Sequence, residues 1–162
     1  MTHSNHDLWR TACGAFVLAV GCASAAWAGD DDHRQALPLL PQYKQECAAC
    51  HVAFPPGLLP AASWQRLMNN LPRHFGTDAS LDPAATKALS SWLVANAGSS
   101  RRAREVPPED RITRSAWFIR KHDELSAATW RLPAVKSAAN CAACHTGADQ
   151  GDFNERNVHV PR

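Results

Sequence analysis

The sequence predicts an all-α chain of two small halves with long loops. Three observations predict it. No segment alternates apolar and polar residues at the period of a strand, whereas three stretches repeat apolar residues at helical spacing. One pentapeptide, Cys-Ala-Ala-Cys-His, occurs twice, at 47–51 and at 141–145. A stretch rich in Ser, Arg and Pro, residues 99–108, divides the two copies.

Composition excludes several classes. The chain has 162 residues, 20% of them charged, and a formal charge of +2. That charge density argues against wholesale disorder. The small net charge gives no argument for a nucleic-acid partner. No stretch reaches the roughly 18–20 apolar residues of a membrane span.

Residues 1–28 read as a secretory signal peptide. Arg10 precedes a short run of small and apolar residues, and Ala26-Trp27-Ala28 has the small-x-small form of a cleavage site. Lipoprotein processing at Cys22 is a weaker variant, because Ala19 is a poor start for its recognition motif. Export to the bacterial periplasm follows as the expectation. Residues 29–34 are polar and acidic, the composition of a frayed terminus.

The elements follow in order. Residues 42–51 read as a short helix carrying the first pentapeptide, stopped by Pro55-Pro56-Gly57. Residues 61–71 read as a helix, with Trp64, Leu67, Met68 and Leu71 on one face. Pro72 and Gly76 bracket His74 in the turn that follows. Asp82 as N-cap and Pro83 at the first helical position open a third helix. Its apolar face is Ala85, Ala88, Leu89, Trp92 and Leu93, and Gly98 marks its end. Residues 112–125 read as one continuous helix carrying Phe118, His122 and Leu125. Leu132-Pro133 breaks the chain before residues 134–145, which carry the second pentapeptide. The tail from Thr146 reads as irregular. The halves are thus 29–98 and 109–162, joined by a linker at 99–108. Each is too small for a generous core of its own.

The pentapeptide carries the chemistry. C-x-x-C-H is the attachment signature of c-type haem. Two thiols add to the two vinyl groups of the macrocycle, and the adjacent histidine becomes an axial ligand of its iron. Cys47, Cys50, Cys141 and Cys144 are therefore the expected attachment points of two covalent haem c groups, with His51 and His145 as proximal ligands. Loss of the leader removes Cys13 and Cys22, so no cysteine remains for a disulfide framework. A zinc site built from two C-x-x-C pairs needs a shorter interval than the one between Cys50 and Cys141. A thioredoxin-like redox pair gives the trailing histidine no role.

Each iron then needs a sixth ligand. The remaining candidates are His33, His74, His122, His159 and Met68. His74 sits in a rigid turn beside Phe75. His122 lies one helical turn from Phe118, on the same stripe. His33 is surrounded by acids and His159 stands near the end of the chain, so both read as solvated. Met68 shares the helical phase of Trp64 and reads as core. Two histidine ligands imply potentials at the lower end of the haem range. The tryptophans Trp64, Trp92, Trp117 and Trp130 read as packing that excludes water.

These residues together resemble the small periplasmic dihaem cytochrome c family of bacteria. The resemblance is carried by four stretches. They are Cys47-Ala-Ala-Cys50-His51 with Ala53-Phe-Pro-Pro-Gly-Leu-Leu-Pro, Ser63-Trp-Gln-Arg-Leu-Met-Asn-Asn-Leu with His74-Phe-Gly, Trp117-Phe-Ile-Arg-Lys-His122, and the Cys141 motif with Gly151-Asp-Phe. The resemblance implies a cytochrome c-like fold, bis-histidine ligation of both haems with His74 and His122 in the distal positions, and electron transfer. It also implies redox partners: a small oxygen-binding monohaem cytochrome or a membrane cytochrome b. Neighbourhood alone pairs His74 with the Cys47 haem and His122 with the Cys141 haem; a crossed pairing stays open.

The reading is an electron carrier rather than an enzyme, without a small-molecule substrate. Two alternatives need an open iron. A dihaem peroxidase or nitrogen-oxide reductase requires one idle distal histidine. A haem-based gas sensor requires a labile one, for which His122 is the candidate. Residues 101–121 hold seven basic residues against three acidic ones. They either dock an acidic partner or pair with haem propionates, a contact that suits guanidinium.

Overall fold

The computed structural model describes residues 37–162. The expected leader, together with Cys13, Cys22 and His33, lies outside the described residues. Residues 37–162 lie within one compact unit. Among the described residues the regular structure is helical, with two isolated β-bridges and no strand.

Helix α1 spans Pro41–Cys47. Pro41 sits at its start, where a missing N–H costs nothing. The helix stops at Cys47, four residues before the expected end. Tyr43, 3% exposed, donates its hydroxyl to the Phe54 carbonyl at 2.9 Å. That bond holds the segment after the motif back against the helix, so residues 48–51 must turn.

Helix α2 spans Ala61–Met68 and buries Ser63, Trp64 and Met68. A separate 3-10 turn, Leu71–Arg73, replaces its expected last turn. Pro72 explains the break: it offers no N–H and disfavours helical backbone at Leu71. Helix α3, Pro83–Ala95, starts as the sequence predicts, with Asp82 Oδ1 accepting from the N–H groups of Ala84 and Ala85 at 2.9 Å each. Its cap is Asn96, whose side-chain amide donates to the Trp92 carbonyl at 2.8 Å. Gly98 serves a different purpose. Its N–H donates to the Leu59 carbonyl at 2.9 Å, and a Cβ there would collide with the Gly57 carbonyl and the Ala103 side chain.

The stretch read as linker contains a one-turn helix, α4, Arg101–Arg104, capped by Ser100. The expected helix over 112–125 is broken into a 3-10 turn, Ile112–Arg114, and helix α5, Ala116–Lys121. Ser115 causes the break. Its hydroxyl accepts from Phe118 N–H at 3.2 Å and donates to the Ile112 carbonyl at 2.7 Å, so it caps α5 instead of continuing a longer helix. Ser126 caps a further short helix, α6, Ala127–Trp130, which periodicity did not reveal. The second motif forms a 3-10 turn at Cys141–Ala143. The tail is less irregular than expected: Val158 bridges His145, and His159 N–H donates to the Cys144 carbonyl at 2.8 Å.

The hydrophobic core lies between α2 and α3. It joins Tyr43, Ala53, Leu59, Trp64, Met68, Leu71, Leu89 and Leu93. Ile112 is the second half's buried member, with Trp117 partly buried against it. An ion pair also joins the halves: Arg66 meets Asp110 through Nε at 2.8 Å and Nη2 at 2.6 Å. Beyond Ile112 the second half buries few apolar side chains, chiefly Phe118, Val135 and Ala148.

Candidate haem-binding sites

Four histidines meet in two pairs. The His51 and His74 rings lie 6.2 Å apart between centroids. The His122 and His145 rings lie 6.1 Å apart. Each pair joins one motif histidine to one histidine from a turn or helix end. His51 leaves the turn after α1. His74 closes the Leu71–Arg73 turn and opens a tight β-turn, in which Thr77 N–H donates to the His74 carbonyl at 3.0 Å. Phe75 and Gly76 in that turn have φ of 50° and 96°. Positive φ at both central positions is the type I′ pattern, which Gly76 accepts freely and Phe75 does not. His122 caps the end of α5, and His145 follows the second 3-10 turn.

Aromatic rings orient each pair. Phe54 stacks on His51 at 4.7 Å, and Phe75 stands 4.8 Å from His74. Phe118 stacks on His122 at 4.0 Å, Trp130 flanks it at 5.9 Å, and Phe153 meets His145 edge-on at 5.4 Å. Of these, the sequence places Phe75 beside His74 and Phe118 one helical turn from His122, whereas Phe54 and Phe153 were assigned to no ligand. Their adjacency to Pro55 and to Gly151-Asp152 was the available signal.

Two of the imidazoles are pinned by backbone. His51 Nδ1 lies 2.7 Å from the Val52 carbonyl, and His122 Nδ1 lies 2.8 Å from the Phe118 carbonyl. A carbonyl can only accept, so Nδ1 carries the proton and Nε2 keeps a free lone pair. Burial, followed by the charge of His51 and then of Arg111, lowers the His74 pKa. Burial, followed by His122, lowers that of His145. Neutral imidazole is the form that binds a metal.

These pairs fit an iron between them. An imidazole nitrogen bonds a transition metal at about 2.0–2.1 Å. Two opposed bonds therefore take up about 4 Å, and the two ring radii supply the remainder of the observed separations. The cysteines fit covalent attachment better than a zinc cluster. All four are free, and among the described residues no three His, Cys, Asp or Glu side chains converge on a common point. Burial pushes the Cys47 and Cys141 thiols up to about 11.

The rival residues go elsewhere. Met68 is 6% exposed within the core beside Trp64. His159 is exposed, although its backbone supports Cys144. Among the basic residues, Arg111 and Arg114 pair with Glu109, Arg66 with Asp110, and Lys121 with Glu155.

The comparisons with known proteins point to the same cofactor. The sequence pattern of the dihaem cytochrome c family matches residues 43–153. The crystal structure of DHC purified from Rhodobacter sphaeroides is 48% identical, with TM-score 0.63, covering 72% of this chain and 100% of that one. The dihaem cytochrome c from Shewanella baltica OS155 is 39% identical, with TM-score 0.67, covering 77% of this chain and 95% of that one. The search of curated proteins finds no match. The matched segment begins at the buried Tyr43 and ends at Phe153 against His145, so it contains both histidine pairs. The chain belongs to the dihaem cytochrome c family, and its cofactors are two covalently bound haem c groups.

Proposed function

We propose that this chain is a periplasmic electron carrier whose two haems are each ligated by two histidines. His51 and His74 serve the group attached at Cys47 and Cys50. His122 and His145 serve the group attached at Cys141 and Cys144. One observation carries the reading: the ring of each motif histidine lies 6.1–6.2 Å, centroid to centroid, from a second imidazole, a separation that two iron–nitrogen bonds fit.

Haem supplies the one-electron chemistry when bound. The protein's part is to hold and shield. The Val52 and Phe118 carbonyls fix the tautomers of His51 and His122. Phe54 and Phe118 keep those rings in plane. Trp130 and Phe153 exclude water from the second pair. Two imidazoles at each centre favour low potentials. With two imidazoles held at each centre, no position would stand open for a substrate in the resting protein, which separates this reading from a dihaem peroxidase or a nitrogen-oxide reductase. The proposed partners are a small oxygen-binding monohaem cytochrome and a membrane cytochrome b.

Electron paramagnetic resonance of the oxidised holoprotein tests the ligation. Two low-spin bis-imidazole signals are expected. A high-spin signal, or one typical of histidine–methionine ligation, overturns it.

A further inference from the structure

We propose that His74 is the exchangeable axial ligand of this molecule, and that Arg111, acting through Phe75, is the residue that positions it. This inference rests on the bis-histidine reading above.

Two restraints can hold an axial imidazole: a neighbouring covalent anchor and a hydrogen bond at Nδ1. His51 has both, through Cys50 and the Val52 carbonyl. His145 has the first, through Cys144, while its buried Nδ1 has no partner. His122 has the second, from Phe118. His74 has neither: no attachment cysteine adjoins it, and its Nδ1 is buried without a hydrogen bond. Removing such an outer partner typically costs 10–100-fold in metal affinity. The second centre thus joins a tethered histidine to a locked one, whereas the first joins a doubly held histidine to a free one.

Something else must hold His74, and the structure provides a clasp from the second half of the chain. The Arg111 guanidinium lies 4.1 Å over the Phe75 ring, and that ring stands 4.8 Å from His74. Glu109 holds Arg111 through Nε at 3.0 Å. Asp110, pinned by Arg66, fixes the loop. The clasp works against strain. Phe75, Glu109 and Asp110 have φ of 50°, 58° and 56°, a region costly for residues with a Cβ. An open cleft of about 600 Å³ adjoins them, lined in part by His74, Phe75, Arg73 and Arg111. It gives the displaced imidazole room to move. The first centre is therefore a latent site for a small iron ligand, gated by a loop of the other half.

Carbon monoxide added to the reduced holoprotein tests this. Wild type is expected to bind about one equivalent in a slow phase. His74→Ala keeps one equivalent, now bound fast. His122→Ala binds two, one fast and one slow. Arg111→Ala accelerates the wild-type slow phase about 10-fold, on the scale of a lost outer partner. Arg111→Lys, which keeps a cation over the ring, restores most of the wild-type rate. Phe75→Asn keeps the turn, because Asn tolerates positive φ, and accelerates binding like Arg111→Ala. No uptake by wild type, loss of the slow phase in His122→Ala instead of His74→Ala, or an unchanged rate in Arg111→Ala would each overturn the proposal. A high-spin signal in oxidised wild type overturns the ligation reading itself.

Discussion

At the scale of single residues, environment divides the candidates that composition leaves equal. Met68 and His74 were both plausible sixth ligands, six positions apart. Helix α2 turns Met68 into the core beside Trp64, whereas the strained turn after Pro72 swings His74 toward His51. Met68→Leu nearly conserves volume, so it should cost less than about 1.5 kcal/mol and leave the haem spectra unchanged. His122→Ala should convert one haem to the high-spin form in the oxidised protein. Absorption and resonance spectra of the two variants check both outcomes. A spectral change in Met68→Leu would return methionine to the ligand set.

At the scale of elements, small polar and small apolar residues decide where helices stop. Ser115 interrupts a segment whose apolar spacing alone reads as one helix, and His122 therefore sits at a helix end instead of in its interior. The end position frees its ring to stack on Phe118 while its Nδ1 meets the carbonyl four residues back. Gly98 shows the converse. Its place after α3 suggests a cap, but Asn96 caps the helix and Gly98 lets two backbone segments touch. Gly98→Ala should therefore destabilise the holoprotein by about 1–3 kcal/mol, the usual cost of overpacking. Thermal unfolding measures it. An unchanged midpoint would mean that the Gly57 and Ala103 segments part easily.

At the scale of the whole molecule, the Arg66–Asp110 pair ties α2 to a loop forty-four positions further along the chain. Side-chain hydrogen bonding by Arg66 lowers the Asp110 pKa. Its folded value then lies below the unfolded one of about 3.9. The pair stabilises the fold above that pH, and the contribution is lost as pH falls through the depressed folded value. Asp110→Asn should be less stable than wild type near neutral pH, and the difference should close below about pH 4. Denaturant unfolding across that range checks the closure. A difference that persists in acid would assign the effect to packing of the 109–111 loop. The same variant should also loosen the clasp on Phe75, so it links stability to the state of the first haem centre.

The two pentapeptides alone identified covalent haem, because no other common chemistry needs two thiols and a following histidine at that spacing. Helical periodicity found α2 and α3, where apolar faces are long enough to show a repeat. Periodicity could not reveal α6 or the break at Ser115, since four- to six-residue helices carry less than two turns of pattern. Nor could it settle which histidine meets which, because that depends on where Pro72 and Ser115 turn the chain. The tertiary structure brought His74 to His51 and His122 to His145. It also decided which imidazoles a carbonyl pins, and it set the Arg111 guanidinium over the Phe75 ring beside His74. Those restraints arise from contacts between segments distant in sequence, or from the local backbone direction at a single residue, and neither leaves a periodic trace in the order of amino acids.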